Sequence, residues 1–165
     1  YARKGGDTFS PVDLGEALAS ALSMMEPQLK SRQVRITRAM PSDPVRVMGD
    51  RVRIEQVMVN LLRNALDATQ SVDAPEIEII LAGGETATLT VRDNGHGIED
   101  LDELFEPFYT TKKPGEGVGL GLAISSGIVS DLGGRLLARN AEGGGAVFEM
   151  QLPILTGESD IEAAE

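Results

Sequence analysis

Four groups of residues have types and spacing suited to chemistry. Asn60, Asn64, Asp67 and Ser71 recur at helical spacing, a polar stripe about 60° wide at roughly 100° per residue. Asn is a mediocre helix former, because its side chain competes for backbone groups. Two carboxamide oxygens one turn apart offer hard, neutral ligands to Mg²⁺ or hydrogen bonds to a phosphate, and Mg²⁺ needs few protein ligands. The same stripe also reads as a solvated helix face. Asp93-Asn94-Gly95-His96-Gly97-Ile98 directly follows an apolar strand. Such residues make turns. They would also deliver a carboxylate that accepts from an exocyclic amine such as adenine N6, with two glycines letting the backbone pass close to a flat base.

Phe105-Glu106-Pro107-Phe108-Tyr109-Thr110-Thr111-Lys112-Lys113 gathers three of the six aromatics just before two hydroxyls and two cations. It reads as satellite core under a loop, or as a hinge with a phosphate-facing tip. Gly115-Glu116-Gly117-Val118-Gly119-Leu120-Gly121-Leu122 opens a helix. Glycine-rich backbone entering a helix N-terminus presents free N–H groups and a positive dipole end to an anion. No Gly-Lys-Ser/Thr follows, so it is not a Walker A loop, and irregular chain precedes it, which weakens a dinucleotide reading. A flexible linker is the plain alternative.

The elements that must position these groups follow from periodicity. Residues 1–12 read as a linker. Asp13 caps a helix with Leu14, Leu18, Ala21, Leu22, Met25 and Leu29 on one face. Val34 to Met40 alternates as a half-buried strand, ended by Pro41 and Pro44, and Val45 to Val47 forms a short one. Asp50 caps the second helix, with Ile54, Val57, Met58, Leu61, Leu62, Ala65 and Leu66 as its stripe and Pro75 as its stop. Strands 76–81 and 86–91 flank Gly83-Gly84. After an irregular stretch over 93–118, of the kind that is usually functional or mobile, a third helix runs to Gly133-Gly134. Strands 135–139 and 146–152 flank Gly143-Gly144-Gly145. The order β-α-β-β-α-β-β-loop-α-β-β predicts an α/β two-layer sandwich, one mixed sheet with three helices on one face.

Composition narrows the function. The 165 residues fit one domain, and 41% hydrophobic residues suffice for a core, which with 4% aromatics and no Trp must be mostly aliphatic. Net charge is −11, which disfavours nucleic-acid backbones and anionic membranes as partners. The absence of cysteine excludes disulfides, thiolate zinc sites and thiol nucleophiles, and a single His excludes a His-cluster metal site. No apolar run approaches about 18 residues, so the chain is expected to be soluble. A first residue other than Met is expected of a piece of something larger.

Taken together and in this order, the four groups resemble the nucleotide-binding motifs of sensor histidine kinases, within the wider Bergerat-fold family that also holds gyrase, Hsp90 and MutL. Asn60 to Ala68 is similar to the family's N box, Asp93 to Gly97 to its first glycine box, Phe105 to Lys112 to its F box, and Gly115 to Gly121 to its second glycine box. Gly143 to Phe148 resembles the weaker final motif. The resemblance covers roughly residues 8–153. It implies an ATP-binding α/β sandwich in which the loop between the second and third motifs acts as an ATP lid, with 13–153 as catalytic domain and 154–165 as an acidic flexible tail.

The resemblance also implies roles. Asp93 would fix adenine, with Gly95, Gly97 and Ile98 shaping its pocket. Asn64, helped by Asn60, would hold Mg²⁺. Lys112, beside Thr110 and Thr111, would neutralise phosphate charge, and the backbone of Gly117, Val118, Gly119, Leu120 and Gly121 would cradle the phosphates. Asn60, Asn64 and Lys112 are thus the expected catalytic group, with ATP and Mg²⁺ as cofactors. Phosphoryl transfer depends mainly on positioning and charge stabilisation.

Three departures qualify this. Hydrolytic branches carry a Glu where this chain has Asn60, which favours transfer to another acceptor over hydrolysis. Ala146 stands where a Thr is common. No residue matches the family's phosphoacceptor His, and His96, between two glycines, reads as a loop residue. The implied partners are a His-bearing dimerisation domain of the same protein and a response-regulator receiver domain. The implied location is the cytoplasm, within a homodimer that is either cytosolic or anchored in the inner membrane. Phe108 to Lys112 and Pro11-Val12-Asp13-Leu14 resemble the branch holding nitrogen-regulation and C4-dicarboxylate-transport sensors. The competing classes are an ATPase-driven clamp, chaperone or repair protein and a non-catalytic nucleotide- or partner-binding module.

Overall fold

The computed structural model describes residues 9–105 and 121–155. Two strand-to-helix junctions are built alike. Strand β1 (Phe9–Asp13) runs into helix α1 (Leu14–Ser31), where Asp13 accepts hydrogen bonds from the Gly15 and Glu16 amides. After strand β2 (Arg35–Ala39), strand β3 (Arg46–Asp50) runs into helix α2 (Arg51–Ala68), where Asp50 accepts from the Val52 and Arg53 amides. Each carboxylate satisfies two of the N–H groups that a helix start leaves unpaired. Strands β4 (Glu76–Ala82) and β5 (Thr86–Asp93) follow, then helix α3 (Gly121–Asp131) and strands β6 (Arg135–Asn140) and β7 (Ala146–Pro153).

The α/β class and the element order agree with expectation. The expected single sheet divides in two. β1 and β3 pair antiparallel with each other, and the other five strands form a mixed sheet in the order β2-β4-β5-β7-β6. Pro41 and Pro44 interrupt the chain after β2 and release β3 to pair with β1, so the leading strand of the expected order falls on residues that were read as linker. One backbone bond, Leu155 N–H to the Arg46 carbonyl, joins the chain after β7 to β3.

The large sheet buries one face. Ile77, Ile79 and Leu81 of β4 and Ala87, Leu89 and Val91 of β5 are buried, while their neighbours Glu76, Glu78, Thr86 and Arg92 are exposed. Onto that face pack the stripes read from the sequence: Ile54, Val57, Met58, Leu61 and Leu62 of α2, Leu14, Leu18 and Met25 of α1, and Ile128 and Val129 of α3. Ile124, read with the apolar residues of the third helix, is exposed, and among the strands β2 differs materially. It is mostly exposed rather than half-buried, with Ile36 alone resting against the core.

Candidate nucleotide site

The core packing sets the last residue of β5 beside two other segments. Register pairs Arg92 with Val147, so Asp93 lies next to Ala146, at the start of β7. Asp93 is 2% exposed, and its Oδ1 accepts from the Gly95 amide at 2.8 Å and the Ala146 amide at 3.3 Å. Burial pushes its pKa up, and the two backbone donors and the His96 charge offset part of that rise. A carboxylate held by two N–H groups on one oxygen keeps its remaining acceptor capacity for a donor arriving from outside the chain.

The loop after Asp93 is tied down along its length. Asn94 Oδ1 accepts from the Glu76 amide and its Nδ2 donates to the Ala74 carbonyl, both at 2.9 Å. The His96 amide donates to the Ala68 carbonyl at the end of α2. A Cβ on Gly95 would overlap that same carbonyl oxygen, so only glycine lets the loop lie flat on the helix terminus. A Cβ on Gly145 would overlap the Asp93 carbonyl oxygen, and Gly145 has a φ of 89°. Sterics therefore require both glycines, one on each side of the carboxylate.

Gly97, with a φ of 82°, and Ile98, half-buried against the core, complete the loop. His96 is exposed, its Nδ1 2.7 Å from the Gly97 carbonyl. Ala146, where a Thr was expected, is 3% exposed and keeps its backbone contact with Asp93.

On α2 the two asparagines differ. Asn64 Nδ2 is buried and has no hydrogen-bond partner, the one such side-chain atom among the described residues. An orphaned N–H donor of this kind fits an amide completed by an acceptor on a ligand, such as a phosphate oxygen, which leaves its own carbonyl oxygen as a candidate metal ligand. Asn60 Nδ2 is engaged within the chain. It donates to Ser125 Oγ at 3.0 Å and to the Gly121 carbonyl at 3.4 Å, tying α2 to the start of α3. Ser125 is itself fully buried.

The structure thus brings Asp93, Gly95, Gly97 and Ile98 together between α2 and the β6–β7 turn, and places Gly121 against Asn60. The expected sites Thr110, Thr111, Lys112, Gly117, Val118, Gly119 and Leu120, and with them most of the expected F box and second glycine box, lie outside the described residues. Asn94, Ser125 and Asn140 were not singled out from the sequence as site residues. Asn94 was read only as part of a turn, and the other two carry no local signal.

Comparison with known proteins agrees with this geometry. Residues 49–156 match the family described as histidine kinase-, DNA gyrase B-, and HSP90-like ATPase. The C4-dicarboxylate transport sensor protein DctB of Rhizobium meliloti is 40% identical over 149 residues, which are 87% of this chain and 23% of that protein. The chain therefore spans less than a quarter of that relative's length. The catalytic domain of histidine kinase ThkA, in a nucleotide-free form, superposes with a TM-score of 0.78 at 30% identity, covering 88% of this chain and 97% of that one. ThkA in complex with response regulator protein TrrA gives 0.74 at 27% identity, covering 88% of this chain and 41% of that chain. No helix among the described residues is long and apolar enough to cross a membrane. With a buried carboxylate at the end of β5, a glycine on either side of it and an orphaned asparagine on α2, the chain belongs to the histidine kinase-, DNA gyrase B- and HSP90-like ATPase family, as an ATP-binding catalytic domain of the sensor histidine kinase type.

Proposed function

We propose that this chain binds Mg-ATP and presents its γ-phosphoryl group to a histidine on a separate dimerisation domain, from which a response-regulator receiver domain takes it. The observation that carries the reading is Asp93, buried and pinned by the Gly95 and Ala146 amides so that it can accept from the adenine amino group. Gly95, Gly97 and Ile98 would form the wall against the base. Asn64 would hold Mg²⁺ through its amide oxygen, and bound Mg²⁺ would neutralise phosphate charge. Lys112, with Thr110 and Thr111, would face the phosphates, and the backbone of residues 117–121 would cradle them. The complex of ThkA with its response regulator supports the receiver domain as a partner. A cytoplasmic location follows from the same reading, since ATP and receiver domains are there.

Transfer is favoured over hydrolysis by Asn60. Where hydrolytic branches carry a Glu, this chain has an amide whose N–H groups are spent on Ser125 and Gly121. Such a group takes no proton from water. The only histidine, His96, lies on the Asp93 loop, at the base end of the nucleotide, whereas in-line transfer needs the acceptor within about 3–3.5 Å of the reacting phosphorus.

The test is incubation with γ-labelled ATP, alone and with a His-bearing dimerisation domain, followed by acid-labile label. The isolated chain should bind nucleotide, retain no label and hydrolyse ATP slowly at most, and the added domain should become labelled. Asn64→Ala should weaken binding in the presence of Mg²⁺ far more than in its absence. Label retained on His96 would overturn the reading.

A further inference from the structure

We infer that Asn140, the last residue of β6, is a positioning residue for the nucleotide site, a role that rests on Asp93 being the base-recognising group. Its side chain grips the backbone of a single loop residue from both sides. Oδ1 accepts from the Ile98 amide at 2.7 Å, and Nδ2 donates to the Ile98 carbonyl at 3.1 Å. A side-chain amide that satisfies both polar groups of one residue imitates a strand neighbour, across 42 positions of sequence.

The consequence lies in what Asn140 joins. Directly after it comes the turn into β7, closed by the Ala141 amide on the Gly145 carbonyl at 2.8 Å and the Gly144 amide on the Ala141 carbonyl at 3.1 Å. That turn delivers Ala146, one of the two donors to Asp93. Ile98 ends the loop that delivers Gly95, the other donor. Asn140 therefore couples the two segments whose amides orient the carboxylate. Fit at Gly97 agrees, since a Cβ there would come within 2.9 Å of Asn140 Oδ1. Without the clamp, the loop keeps its ties at Asn94 and His96, but its far end is free to drift from the β6–β7 turn.

The experiment measures ADP affinity and the exchange rate of the Ile98 amide hydrogen in the 165-residue chain and in Asn140→Ala and Asn140→Asp. Asn140→Ala removes both bonds, and Asn140→Asp keeps an acceptor for the Ile98 amide. Loss of one modest hydrogen bond corresponds to about a three- to ten-fold effect. ADP affinity should fall by about that factor in Asn140→Ala while Ile98 exchange speeds up, and Asn140→Asp, which keeps the bond to the Ile98 amide but sets an oxygen against the Ile98 carbonyl, should recover part of the Ile98 protection. Ile79→Val, which trims the sheet core away from the loop, should leave affinity unchanged although it lowers Tm. If Asn140→Ala does not fold, Asn140→Ser takes its place in the same comparison.

Wild-type ADP affinity in Asn140→Ala alongside fast Ile98 exchange would overturn the positioning role, as would an equal loss in Ile79→Val. Failure of the wild-type chain to bind ADP would overturn the nucleotide reading and this role with it. Slow Ile98 exchange in that same sample would show that the clamp itself is intact.

Discussion

Asp93, the proposed base-recognising group, sits in the fold at a cost to stability. Its burial raises the carboxyl pKa above the ordinary 3.8, so the folded chain holds the proton more tightly than the unfolded chain does. A raised folded pKa contributes stability that is fully present below the unfolded value and lost as pH rises through the folded one. At neutral pH the ionised carboxylate is therefore a burden on the fold, which the Gly95 and Ala146 amides only partly relieve. Asp93→Asn should raise Tm at pH 7, and the gain should shrink as pH falls through the carboxylate range. In the same variant, adenine nucleotide binding should weaken by about 1–3 kcal/mol, because an amide can present a donor to the base amine. Thermal melts across pH, paired with nucleotide titration, check both halves. A variant that is destabilised at pH 7 would contradict the burial argument.

At the scale of elements, the Asp caps separate stability from site chemistry. Asp50 holds the start of α2, whereas Asn64 lies more than three turns along it. Asp50→Ala should cost about 1 kcal/mol of stability and leave nucleotide affinity unchanged, as measured by urea denaturation and titration. Helix α2 was legible in the sequence because its cap and its apolar period agree, although it ends at Ala68, seven residues before the expected stop at Pro75. The polar stripe at Asn60 and Asn64 was legible for the same reason. What Asn60 does with its amide was not, since its partner Ser125 lies 65 residues away and helical spacing carries no word of it. The place and partner of strand β1 were hidden too. Five residues containing a proline acquire their structure by pairing with β3, and the split into two sheets is a matter of long-range pairing that no local window holds. The loop after Asp93 announced itself by its glycines, but the Asn140 clamp left no trace, because an Asn at a strand end reads as a turn residue.

For the whole molecule, the carboxylate site is assembled from the near and the far. One donor to Asp93 comes from two residues away and the other from 53 residues away, across the β5–β7 pairing. Pairings of such long sequence separation are slow to close. Until that closure is complete, a nucleotide has no finished surface to grip. Saturating ADP should therefore leave the refolding rate unchanged and slow unfolding, by roughly 100-fold at a concentration of about 100 Kd. Stopped-flow refolding and unfolding with and without ADP would show it, and a faster refolding limb would place site assembly before the rate-limiting barrier. Because digestion of a transiently opened chain follows the population of that open form, the proposed role of the Asp93 site would turn nucleotide supply into a clock: the chain's lifetime against a protease should lengthen with every increment of bound nucleotide.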